Sequence, residues 1–138
     1  MKKLLAVIIV SLVIISCVPQ NNTATNQGKS EIKPEKNAED EWELTVIDSQ
    51  FDYFVNAVAK PKSMYSESYL KSKNSFLVTE WNGLYISGRH RNVIESSIDY
   101  DRQENYGFDF EYKLYQVFAF VQWKYGLRLQ GLSQSDVR

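Results

Sequence analysis

Apolar and polar positions divide the chain into three parts. Residues 4–15 read "LLAVIIVSLVII", an apolar run with Ser11 as its one polar position. Residues 18–41, "VPQNNTATNQGKSEIKPEKNAEDE", hold no aromatic residue and only scattered aliphatic ones. Such a stretch buries too little apolar surface to offset the entropy of ordering it. From Trp42 onward apolar residues recur at regular spacing. In "EWELTVI" (41–47) Trp42, Leu44 and Val46 alternate with more polar neighbours, which predicts a half-buried strand. "DSQFDYFVNAVA" (48–59) sets Phe51, Phe54, Val55 and Val58 at helical spacing behind Asp48 or Ser49 as N-cap, and Pro61 stops that helix. "SESYLKSKNSFLVTEWNGLYIS" (66–87) places Leu70, Leu77, Trp81 and Leu84 on one stripe, with Gly88 as closing cap. Gly83 inside it weakens the last turn by up to about 1 kcal/mol against alanine. "NVIESSIDY" (92–100) reads as a short second strand.

"YGFDFEYKLYQVFAFVQWKYG" (106–126) carries two periods at once. Phe108 to Leu114 alternates as a strand does. Taken whole, Phe110, Leu114, Val117, Phe118, Val121 and Tyr125 form one helical face, and the length and the closing Lys124-Tyr125-Gly126 favour helix. Phe108, Tyr112, Tyr115, Ala119 and Trp123 then form a second stripe, set off from the first by Glu111 and Gln122. A small domain needs most of its aromatics inside, which favours a helix packed on two sides. The sharper alternative is a binding surface of Tyr112, Tyr115 and Trp123, since rings with polar tips suit interfaces and stack on sugars. "LRL" (127–129) reads as a last short strand able to pair with the first. The fold expected is α+β, a two- or three-stranded sheet packed against about three helices in a single domain over residues 42–132, with a tail at 133–138.

The apolar run at the start is too short to span a bilayer, which takes about 20 residues. Met1-Lys2-Lys3 before it and the small Ser16 after it make it a secretory signal. Cys17, the single cysteine, follows directly. "Ile14-Ile15-Ser16-Cys17" resembles the lipobox of bacterial lipoproteins. That resemblance implies cleavage after residue 16, a diacylglycerol on the Cys17 sulfur and acylation of the new amine. Stable anchoring takes two or more acyl chains, so the chemistry suits the task. A lone cysteine has no partner for an internal disulfide. The parts then read as a signal at 1–16, lipidated Cys17 and a disordered tether over 17–41, and the globular domain. Family sorting rules imply an outer-membrane lipoprotein facing the periplasm, because Val18 stands where an aspartate would retain it at the inner membrane.

Charge narrows the partners. Loss of Lys2 and Lys3 with the signal leaves the chain two units more negative than its formal −1. A nucleic-acid footprint would be strongly basic, and mild acidity does not attract anionic lipid. The expected partners are the bilayer, through acylated Cys17, and an envelope protein or glycan.

Chemistry is sparse. His90, the one histidine, sits in "RHR" between two arginines, a solvated basic loop and a poor setting for a general base. "DYDRQENYGFDFE" (99–111) fails the calcium-loop pattern, which wants glycine sixth and glutamate twelfth where Glu104 and Phe110 stand. Asp101 with Glu104 reads instead as a capping box at a helix start. One histidine and no free thiol leave no zinc set. No catalytic residue, cofactor or metal is expected. A small hydrolase acting on an envelope polymer through a carboxylate pair stays the alternative to a non-enzymatic binding or structural module. "AKPKSMYSESYL" (59–70), "EWN" (80–82), "IDYD" (98–101) and "YGFDFEYKLY" (106–115) resemble a family of small uncharacterised bacterial lipoproteins with a domain of unknown function. The resemblance covers most of residues 42–129 and implies no activity, cofactor or catalytic residue.

Overall fold

The computed structural model describes residues 31–132 and 134–136, so the signal, Cys17 and residues 18–30 lie outside the described residues. The elements run β1 (Glu31–Ile32), β2 (Glu35–Lys36), β3 (Trp42–Glu43), α1 (Phe51–Ala57), a 3-10 turn (Lys62–Met64), α2 (Glu67–Ile86), β4 (Ser97–Ile98), α3 (Phe108–Tyr125) and a final 3-10 turn (Gln134–Asp136). The class is α+β, with three helices among the described residues and two very short ladders. β1 pairs in parallel with β4, Glu31 opposite Ser97 and Ile32 opposite Ile98. β2 pairs antiparallel with β3, Glu35 opposite Glu43 and Lys36 opposite Trp42.

α3 is the centre of the fold. Every residue from Leu114 to Val121 is buried, so both apolar stripes face protein and the helix reading of residues 108–114 holds over the strand reading. A helix that is apolar nearly all round is one surrounded by its own domain. α2 covers one side through Leu70, Leu77, Val78 and Trp81, and α1 covers another through Phe51 and Phe54. The Ser66 hydroxyl caps α2 by accepting the Tyr69 N–H at 3.2 Å. At its other end Gly88 takes φ +68°, and the N–H groups of Gly88 and Arg89 return to the carbonyls of Tyr85 and Leu84. That is a Schellman close, and it needs the left-handed backbone that glycine adopts without strain.

Four expectations are corrected. The strands foreseen over 41–47 and 92–100 contract to Trp42–Glu43 and Ser97–Ile98. "LRL" forms no strand: Leu127 and Leu129 are buried as apolar plugs beneath an irregular cover. Asp101 and Glu104 cap no helix; they close a turn, with Asp101 Oδ1 accepting the Gln103 N–H at 2.8 Å and its carbonyl the Glu104 N–H at 3.1 Å. Residues 31–41, assigned to the tether, belong to the fold. Ile32 packs on the core, and the Asn37 side chain closes the β2–β3 loop by accepting the Glu39 and Glu41 N–H groups at 2.9 and 3.0 Å. This docking runs mainly through backbone pairing, which leaves no apolar period to read.

Candidate functional site

Polar side chains inside the core are the places where this fold departs from simple packing. Glu111 on α3 is 1% exposed. Asn74 of α2 donates from Nδ2 to Glu111 Oε2 at 2.7 Å and to the Glu111 carbonyl at 2.8 Å. The Tyr100 hydroxyl donates to Oε1 at 3.0 Å and Oε2 at 3.2 Å. Burial raises the Glu111 carboxyl above its ordinary range, while Asn74, Tyr100 and the Lys71 charge pull the other way. Beside this knot Tyr106 is stacked between Tyr100 and Phe110, at 5.1 and 4.5 Å, with Trp42 edge-on at 5.0 Å. The knot ties α2, α3 and the segment after β4 together. In sequence Glu111 showed only as a polar break between two stripes; the signal for its burial was an acid flanked by apolar positions on both faces of one helix.

The stripe of Tyr112, Tyr115 and Trp123 is not gathered on a surface. Tyr115 is wholly buried. Tyr112 is half-buried, with its hydroxyl donating to the Lys60 carbonyl at 2.8 Å. Trp123 is half-buried against Phe54 at 5.4 Å and Phe120 at 6.0 Å, with Tyr53 at 6.5 Å. The rings are consumed in packing because α3 is covered on two sides.

One part of that stripe nevertheless opens onto chemistry. Tyr115 and Gln116, 0% and 1% exposed, present a hydroxyl and a whole side-chain amide with no hydrogen-bond partner, and the buried Tyr65 hydroxyl has none either. Each buried group left so costs about 1–3 kcal/mol. Gln116 stands beside the Tyr65 hydroxyl and Asp136 beside the Tyr115 hydroxyl, without closing a bond of good geometry. Burial first, then Asp136 and neighbouring tyrosines, pushes the Tyr65 hydroxyl up to about 12. Burial and Asp136 raise Tyr115 as well, so both phenols keep their protons at neutral pH. Of these residues Tyr65 lines a cavity of about 380 Å³, together with Lys60, Met64, Ser66, Tyr69 and Asp136. Lys60 Nζ and Asp136 Oδ1 face each other there at 3.5 Å. A larger hollow, about 730 Å³ beside Tyr85, Ile86, Arg91, Ile94 and Glu95, contains none of these unpartnered groups. Chemistry rather than size therefore singles out the smaller one.

The remaining sequence candidates stay apart. His90 is exposed in the turn after α2 with φ +55°, remote in the chain from these groups. Among the described residues no group of three or more His, Cys, Asp or Glu could hold a metal ion, and no helix is long and apolar enough to cross a membrane.

Residues 4–137 match a family of unknown function, DUF6146. The chain belongs to that family. No curated protein and no solved structure matches it. The DUF6146 match takes in the apolar run and Cys17 as well as α1, α2 and α3. The uncharacterised family expected from "EWN" and "YGFDFEYKLY" is thereby identified, and it brings no activity with it.

Proposed function

We propose that the protein is an envelope lipoprotein, held at the periplasmic face of the outer membrane by acylated Cys17, whose folded domain is a non-enzymatic binding module. The observation that carries this is the order of residues 2–17: two lysines, an apolar run too short to span, Ser16, then the chain's single cysteine. The family match beginning at residue 4 supports it, because the run and the cysteine fall within the shared region. The polar residues 18–30 then separate the acyl chains from β1.

A binding role is favoured over carboxylate-pair hydrolysis by where the acids lie. Glu35 and Glu95 share one hollow, and Asp52 and Asp109 another, but all four are exposed and lack the dry surroundings a general acid needs. Buried Glu111 is spent on Asn74 and Tyr100 and lines none of these hollows. Cys17→Ala tests the anchor. The variant is expected to leave the membrane fraction and lose labelling by an alkyne fatty acid. A parent protein that takes no label while remaining at the membrane overturns the proposal.

A further inference from the structure

The cavity between residues 60–66, the start of α2 and the final turn has a feature that folding does not ask for. Phenylalanine at 65 and 115 and leucine or methionine at 116 would fill the same space without leaving a polar atom unpartnered, and such exchanges are commonly neutral or stabilising. The chain instead keeps the Tyr65 hydroxyl in the wall of the hollow, with the Gln116 amide beside it and the Tyr115 hydroxyl beside Asp136. Their partner must both donate and accept, since a tyrosine hydroxyl and a glutamine amide each do both. The charged residues of its wall, Lys60 and Asp136, are of opposite sign and face each other at 3.5 Å. Its wall includes a flat ring pair, Tyr65 and Tyr69, stacked at 6.0 Å and 24°, with Tyr69 42% exposed.

A neutral ligand, rich in hydroxyls on its edges and apolar on one face, meets all of these conditions. We propose that this cavity binds a neutral sugar ring, its C–H face on Tyr69, its outer hydroxyls on Lys60, Ser66 and Asp136, and an inner hydroxyl reaching Gln116 and Tyr115. Tyr65 lines the hollow and its hydroxyl neighbours Gln116, so the proposal requires its ring to move aside as the inner hydroxyl enters. The proposal gives the binding module its ligand class and rests on that reading of the domain, but not on the anchor.

The test uses the full chain in a zwitterionic detergent without a sugar headgroup. Glucose, galactose, mannose and N-acetylglucosamine are titrated by saturation-transfer NMR and thermal shift, with glucosamine and glucuronic acid as charged counterparts. At least one neutral sugar is expected to saturate and to raise Tm. Gln116→Leu and Tyr115→Phe are expected to weaken it at least about tenfold without lowering the Tm of the free protein. A sugar-blind protein, tighter binding of a charged counterpart, or undiminished binding by both variants overturns the site. So does a lower Tm in both variants, which would mark these groups as internal water ligands serving the fold. Any of those results leaves membrane attachment through Cys17 untouched, since that is read on Cys17 alone.

Discussion

Glu111 shows how a single side chain can serve the fold and still weaken it at neutral pH. Its carboxyl is raised above the ordinary 4.5, chiefly by burial. A carboxyl of this kind holds its proton more tightly when folded than when unfolded. Its contribution is therefore full below 4.5 and is lost as pH rises through the raised value. Glu111→Gln keeps an acceptor for Asn74 and Tyr100 and removes the titration. Its Tm relative to the parent is expected to rise between pH 4 and pH 7, and a constant difference across that range would refute the assignment. Glu111→Ala, by contrast, strands the Tyr100 hydroxyl and should cost on the order of 1–3 kcal/mol in urea unfolding at either pH.

At the scale of elements, α2 does more than bury a stripe. Its consecutive residues Glu80, Trp81 and Asn82 each hold a different length of backbone outside the helices. Glu80 accepts the Gln130 N–H at 2.8 Å, and Trp81 Nε1 donates to the Ser96 carbonyl at 2.8 Å. The Asn82 amide accepts the Ile98 N–H at 2.8 Å and donates to the Ile98 carbonyl at 2.9 Å, as a neighbouring strand would. β4 is thus paired on one edge by β1 and on the other by a side chain, which explains how a strand of two residues persists. Asn82→Ala leaves both Ile98 groups without these partners and should cost about 1–3 kcal/mol, with faster hydrogen exchange at the Ile98 amide. Unchanged exchange there would show that the amide is not the second edge. Helices α1, α2 and α3 were legible because apolar residue types recur in them at helical spacing, within a residue or two at each end. The strands were not, because ladders of two residues have no period to display.

At the scale of the molecule, β1 decides where the domain begins. The Asp99 N–H donates to the Ile32 carbonyl at 3.0 Å, so the edge of β4 depends on a segment far away in sequence. Limited proteolysis should leave a stable core starting near Glu31 rather than near Glu41. Removing everything before Glu41 should speed exchange at the Asp99 amide at least about tenfold. Equal exchange in the two chains would return residues 31–40 to the tether. The sequence by itself determined the three helices, the α+β class, the membership of most aromatics in one core and the apolar run that precedes Ser16 and Cys17. Each of these is written in local spacing or in residue type, which needs no distant partner to be recognised. Only the tertiary structure decided that β1 docks, that Glu111 is enclosed, and that polar atoms of Tyr65, Tyr115 and Gln116 are buried without partners. Those outcomes depend on which segments meet across α3, and hydrogen bonds between chain-distant groups leave no periodic trace in the chain that makes them.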